Sequence, residues 1–135
     1  MNIEFMSQHK FQTVYNVLSS ELEETAVISI VTEQQDTYQL NNNFLFTLQL
    51  VFEDSETSFT REQAKTIIEF ADKCKNSSCK QILVHCLAGV SRSSAISLFL
   101  EEYLNNLIIE DIQRSKFNLH NRYVYSTLNK LLQGY

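Results

Sequence analysis

Three short apolar runs rich in branched side chains recur along the chain: AVISIV at 26–31, FLFTLQLVF at 44–52 and QILV at 81–84. A continuous apolar run of this length reads as a strand buried on both faces. Stretches of helical periodicity alternate with these runs. Thr60 and Gln63 have the spacing of a capping box, and Ala64, Ile67, Ile68 and Ala71 form an apolar stripe behind them. RSSAISLFLEEYLNN, from Arg92, is a second helix with Ile96, Phe99, Leu100 and Tyr103 as its core face. Buried strands alternating with helices require right-handed crossovers and a sheet covered on both faces. The expected fold is therefore α/β, a central and mostly parallel sheet flanked by helices.

The remaining segments fit around that frame. Ile3 to Met6 reads as a short first strand, and Ser7 as the N-cap of a helix whose apolar face is Phe11, Val14, Tyr15 and Leu18. TEQQDTYQLNNN, residues 32–43, is a polar loop, and EDSETS at 53–58 interrupts the pattern again. Two short helices are expected near the end, from about Ile109 and from about Asn121, the latter carrying Val124, Leu128, Leu131 and Leu132. With no repeat, low-complexity tract or linker-like segment, residues 1–135 are expected to form one domain.

Charge and cysteine usage narrow the function classes. The net charge is −5 and the pI about 5.1, which disfavours a broad basic face for nucleic acid or anionic lipid. No nucleic-acid partner and no membrane insertion are expected, since no run approaches the roughly 18 apolar residues of a membrane span. MNIEFMSQHK lacks the basic start and apolar stretch of a secretory signal. Three cysteines, Cys74, Cys79 and Cys86, leave an odd thiol, which points to a reducing, cytoplasmic setting. Cys74 and Cys79 lack a second Cys or His pair at ligand spacing, so no metal is expected, and they read as helix-end and loop thiols. A monomer is expected.

The chemistry concentrates in VHCLAGVSRSS, residues 84–94, where the third apolar run passes into a helix. In parallel sheets, ligands bind beyond the carboxyl ends of the strands. A helix N-terminus there presents unpaired amides and the positive end of the macrodipole. The amides of Leu87, Ala88, Gly89, Val90, Ser91 and Arg92 span the junction and can converge on one anion. Gly89 permits a positive φ or a close approach. Arg92 adds a permanently charged fork suited to two phosphate oxygens. Cys86, beside helix amides and an arginine, has the surroundings that stabilise a thiolate and make it a nucleophile. His85 is expected to shape the loop and add to its positive field, and Ser93 to hydrogen-bond the sulfur and ease its departure. A thiolate facing a bound phosphorus centre suggests phosphoryl transfer through a phosphocysteine.

His85, Cys86, Gly89, Arg92 and Ser93 match the HCxxGxxRS signature of the cysteine-dependent protein tyrosine phosphatase superfamily. AGVSRS resembles most the dual-specificity branch and its small bacterial and viral-type relatives. The resemblance is good from Phe44 to about Tyr103 and weak elsewhere. It implies a phosphatase-like α/β fold with the catalytic loop between a strand and a helix, and hydrolysis of phosphomonoesters with no cofactor. The implied partner is a phosphorylated protein or peptide carrying phosphotyrosine, with phosphoserine and phosphothreonine as further substrates.

Members of that superfamily supply a general acid from a loop about thirty residues before the cysteine. Asp54 precedes Cys86 by 32 residues and is the expected acid, with Glu53 and Glu56 as alternatives and Asp36 as a weaker one. His120 and Asn121 fall where relatives carry a Pro-Asn pair supporting the catalytic loop; Asn121 fits that role and equally a helix N-cap. Neither His120 nor His9 is assigned a catalytic role. Two other functions stay open at this point, a pseudophosphatase that binds phosphorylated partners and a phosphatase acting on a non-protein phosphomonoester. The uncharged Leu87, Ala88, Val90 and Ser91 weigh against a phosphoinositide substrate, and the acidic balance weighs against an RNA 5′-triphosphatase.

Overall fold

Residues 1–16, 22–106, 115–117 and 119–134 are described by the computed structural model. Its sheet contains the strands β1 (Asn2–Ser7), β2 (Thr25–Val31), β3 (Phe46–Val51) and β4 (Gln81–Cys86), in the order β1-β4-β2-β3. Every pairing is parallel. The two central strands are the most apolar runs: every residue of β2 is buried, and β4 is buried from Ile82 to Cys86. The edge strands β1 and β3 are partly exposed, which explains why their patterns are less continuous. Register sets up the site, because Ser7 of β1 stands beside Cys86 while Ser29 of β2 stands beside His85.

The two faces of the sheet are covered differently. Side chains alternate between faces along a strand, so Ile28, Ile30, Ile82 and Val84 enter one core while Val27 and Leu83 enter the other. The larger core lies under α2 (Arg61–Lys75), α3 (Arg92–Asn105) and α4 (Arg122–Leu132), with Ile67, Phe70, Ile96, Phe99, Val124 and Leu128 interleaved. Removing one such apolar side chain from water contributes about 1.5–3 kcal/mol. The capping box at the start of α2 is formed as expected, Gln63 N donating to Thr60 Oγ1 at 3.1 Å and Thr60 N to Gln63 Oε1 at 3.1 Å. α3 is buried all round over Arg92–Leu100, since it is enclosed between the sheet and its neighbours. Leu132, expected in the core face of α4, is 48% exposed.

The opposite face is closed without a long helix. Ser7 does act as an N-cap, accepting from Lys10 N at 3.2 Å. The α-helix it starts, α1, covers only Gln8–Lys10 and passes into a π-helical turn, Phe11–Tyr15. Phe11 is fully buried against Met6, Leu22, Val27, Phe44 and Leu83. Val14, expected on the same apolar face, is 38% exposed, because the wider turn rotates it off a 3.6-residue period. Leu18 and the helix expected from Ile109 lie outside the described residues. Phe44, Leu45 and Phe52, expected in the strand of the second apolar run, lie outside it: an Asn41–Phe44 turn delays β3 to Phe46 and turns Phe44 into the second core, and the strand ends at Val51. No described helix is long and apolar enough to cross a membrane.

Candidate functional site

Cys86 ends β4 and Arg92 begins α3, so the segment between them is a strand-to-helix loop at the carboxyl edge of the sheet. Gly89 has φ +74°, a conformation other residues adopt at a cost of about 1–2 kcal/mol. A Cβ there would lie 2.3 Å from the Ser7 nitrogen and 2.4 Å from the Met6 carbonyl carbon. The close approach expected of this glycine is therefore made to the protein's own first strand. Gln8 N, donating to Leu87 O at 3.2 Å, pins the loop to the same strand end.

The carbonyls on the far side of the loop are tied down. Ser94 Oγ donates to Val90 O at 2.5 Å and to Ser91 O at 3.1 Å. Ser91 O also accepts from Ala95 N at 3.1 Å and Asn121 N at 3.0 Å. With these carbonyls held outward, the amides are left to face the cysteine. Gly89 N donates to Cys86 Sγ at 3.3 Å, and Ser93 Oγ lies 3.1 Å from the same sulfur. Burial pushes the Cys86 thiol up, but the Ser93 hydroxyl and the amides of Ser93, Gly89 and Val90 outweigh it, and the net shift is downward. The loop thus stabilises the thiolate relative to an ordinary cysteine.

Arg92 is 4% exposed. Its Nη1 donates to Phe52 O at 2.6 Å and Thr32 Oγ1 at 3.2 Å, and its guanidinium lies 5.9 Å over the Phe52 ring. Among the described residues it has no carboxylate partner, so it is a buried cation with neutral neighbours. Such a charge is costly unless an anion joins it.

His85 does not supply the expected positive field. Burial lowers its pKa to about 4, and the charge of Arg92 acts in the same direction, against a smaller opposing effect of the Cys86 carbonyl. The ring is neutral. Its Nε2 is 2.6 Å from both Ser29 Oγ and Tyr38 Oη, and its Nδ1 is 3.5 Å from Cys86 O; that carbonyl can only accept, so the arrangement suits the tautomer with its proton on Nδ1. Gln49 Nε2 donates to Ser29 Oγ at 3.1 Å, and Phe11 stacks on the imidazole with centroids 4.7 Å apart. Shape, rather than charge, is what this histidine contributes.

Asp54 reaches the loop from the turn that follows β3. Its Oδ1 accepts from Ser91 Oγ at 2.8 Å and from Asn121 Nδ2 at 2.7 Å. Asn121 Nδ2 also donates to Ser55 O at 3.2 Å, while its Oδ1 caps α4 by accepting from Val124 N at 3.1 Å. Asn121 thus caps the helix with its Oδ1, holds the acidic loop with its Nδ2, and touches the cysteine loop through its backbone nitrogen, which donates to Ser91 O at 3.0 Å. Glu53 and Glu56 are exposed and, among the described residues, make no side-chain hydrogen bond to this cluster. Asp36 lies elsewhere, in a 3-10 turn, Gln34–Asp36, where it accepts from Glu33 N at 3.1 Å. His120 is engaged in packing, with Nδ1 donating to Phe117 O at 2.7 Å. Cys74 and Cys79 are buried in the helix-side core. Thr32, Tyr38, Ser29 and Gln49 carry no signal in their local sequence that distinguishes them from ordinary strand and loop positions, whereas Ser94 ends the VHCLAGVSRSS stretch without an assigned role.

A family model for the catalytic domain of dual specificity phosphatases matches residues 1–104. The chain belongs to that family. The match reaches well upstream of Phe44, where the motif-based resemblance weakens. The chain is 64% identical over 31 residues, 23% of its length, to dual specificity protein phosphatase 8 of Homo sapiens and of Mus musculus. That segment spans only 5% and 4% of those two proteins. The fold of this dual specificity phosphatase domain is shared with a human tyrosine phosphatase-like serine/threonine/tyrosine-interacting protein, at TM-score 0.58 and 20% identity over 81% of this chain and 76% of that one. It is shared as well with a tyrosine phosphatase of the Orf virus with triple substrate specificity, at TM-score 0.55 and 16% identity over 98% of this chain and 71% of that one.

Proposed function

We propose that this dual specificity phosphatase domain hydrolyses phosphotyrosine, and phosphoserine and phosphothreonine as well, in phosphorylated proteins through a phosphocysteine intermediate. One observation carries the reading: a buried guanidinium with no carboxylate partner among the described residues, on the same short loop as a sulfur whose thiolate is stabilised by Ser93 and the loop amides. A dianionic phosphomonoester supplies the missing charge and brings an electrophile to the nucleophile.

In this reading the phosphate occupies the concavity lined by the amides of Leu87, Ala88, Gly89, Val90, Ser91 and Arg92, with two oxygens on the Arg92 fork. The Cys86 thiolate attacks phosphorus in line; the S–P bond forms as the P–O bond to the side chain breaks. The leaving oxygen takes a proton from Asp54. Asp54 Oδ1 already accepts two hydrogen bonds, so Oδ2 is the oxygen that carries the proton. Asp54 then removes a proton from water, which attacks the phosphocysteine and releases inorganic phosphate. Ser93 Oγ stabilises the departing thiolate. Leu87 and Val90 at the rim are 65% and 41% exposed, so the walls are low enough for the shorter phosphoserine and phosphothreonine side chains.

The test is hydrolysis of an aryl phosphate and of matched phosphotyrosine and phosphothreonine peptides, with acid quench to trap phosphate on sulfur. Turnover with a trapped phosphocysteine, both lost in Cys86→Ser, is the expected result. Turnover retained in Cys86→Ser refutes the covalent route. Phosphopeptide binding by the unaltered protein with no turnover places it among the non-catalytic binders.

A further inference from the structure

Beside the cysteine loop lies a cavity of about 210 Å³, lined by Gln8, Val31, Thr32, Asp36 and Leu87. Two of its lining residues join it to the cysteine loop. Leu87 is the first residue of the loop after the nucleophile, and Thr32 Oγ1 is the acceptor for Arg92 Nη1. Asp54 lies at the other end of the loop, on Ser91, so this cavity is not occupied by the acid machinery. A phosphorylated side chain that puts its phosphate on Arg92 therefore brings its neighbours in the substrate chain against the cavity.

The lining has a definite chemistry. Val31 and Leu87 form an apolar wall, and Leu87 is largely exposed, as a wall awaiting contact is. Gln8 and Thr32 are neutral and polar. Asp36 is the one charged residue of the lining. Only its Oδ2 has a partner among the described residues, the Glu33 amide, which leaves Oδ1 available. An aliphatic wall ending in a carboxylate matches a side chain with an apolar stem and a cationic head.

We propose that this cavity is a specificity subsite that takes a lysine or arginine adjacent to the phosphorylated residue, with its stem on Leu87 and Val31 and its head on Asp36. The inference rests on the phosphatase reading above and names the class of phosphoprotein it acts on: substrates with a basic residue beside the phosphate. Chains with acidic flanks are disfavoured at the same cavity by repulsion from Asp36.

The experiment is a set of phosphotyrosine peptides identical except at the two positions on each side of the phosphoresidue, where arginine, alanine or glutamate is placed in turn. Arginine at one or more positions should raise kcat/KM about threefold to fivefold over alanine, the size of a partly exposed ion pair, and glutamate should lower it. Salt should shrink the difference. Asp36→Asn should remove the arginine preference, and Gln8→Lys should reverse it toward glutamate; the second variant keeps the test open if the first perturbs the 3-10 turn. Peptide binding to the Cys86→Ser protein, followed by fluorescence anisotropy, separates the two claims. Arginine-selective binding without turnover by the unaltered protein upholds the subsite and removes the phosphatase reading. Turnover with no arginine preference, or a preference unchanged in both Asp36→Asn and Gln8→Lys, overturns the subsite.

Discussion

Asn121 donates its side-chain amide to Asp54 Oδ1 at 2.7 Å, across 67 residues of sequence. The same side chain caps α4 through Val124 N, and its backbone nitrogen bonds to Ser91 O. One residue therefore ties the acidic loop, the cysteine loop and a helix start together. Asp54 is held by this clamp rather than by its own segment, which is a solvated turn.

The clamp separates by substitution. Asn121→Ser keeps a hydroxyl to cap α4 and loses the donor to Asp54, whereas Asn121→Ala loses both, at a further cost of about 1 kcal/mol for the cap. Both variants should lower kcat on aryl phosphates with poor leaving groups by about tenfold, part of the roughly 10²-fold or more that a general acid contributes. Good leaving groups, which need no proton, should be hydrolysed at nearly the unaltered rate. Equal losses across the leaving-group series would remove Asn121 from the positioning of the acid.

Asp54→Asn should remove the full acid contribution, about 10²-fold on poor leaving groups, and steepen the dependence of the rate on the leaving group. Glu53→Gln and Glu56→Gln should leave these rates within about twofold, because neither side chain is bonded to the loop. A large loss in either glutamate variant with none in Asp54→Asn would transfer the role.

Ser93→Ala removes the hydroxyl that is the largest single influence lowering the Cys86 pKa. The Cys86 pKa should rise, so the ascending limb of kcat/KM against pH moves to higher pH, since the thiolate is the reacting form. Breakdown of the phosphocysteine should also slow, giving a pre-steady-state burst of leaving group. Iodoacetamide alkylation rates against pH report the same shift without substrate, and an unmoved alkylation profile would disprove the assignment.

Gly89→Ala meets two penalties at once, the φ of +74° and a Cβ 2.3 Å from a backbone nitrogen of β1. The conformation alone costs about 1–2 kcal/mol. Backbone cannot move aside as a side chain would, so either the loop or the end of β1 must shift. Thermal unfolding should show a lower Tm and the activity should fall by more than the folded fraction does. An unchanged Tm would mean that the loop is not seated on β1.

His85 makes stability depend on pH in a defined window. Its pKa in the folded chain is about 4, below the ordinary 6.5, so between these values the unfolded chain binds the proton that the folded chain refuses. The contribution is fully present above pH 6.5 and is lost as pH falls toward 4, by about 3 kcal/mol in all. Urea unfolding at several pH values should show this loss in the parent protein and a flatter profile in His85→Asn. Stability that rises on acidification through that window would contradict a buried neutral ring.

The sequence by itself determined the local architecture. Branched apolar runs set the central strands, a capping box set the start of α2, and the segment from His85 to Ser93 carries a strand end, a turn and a helix start within a few residues. Such features depend on neighbours close in the chain, where periodicity, capping and backbone freedom act directly. The tertiary structure alone decided the rest. That Gly89 is seated against β1, that His85 is neutral, and that Arg92 is buried beside Phe52 and Thr32 with no carboxylate partner among the described residues depend on packing between distant segments. The contacts of Arg92 and Asp54 with Phe52, Thr32, Ser91 and Asn121 span 37 to 67 residues. Burial and hydrogen bonding at that range have no signature in a short window, because each partner alone is an ordinary loop or helix-end residue. Only where the chain brings them together do they acquire a charge state and an orientation.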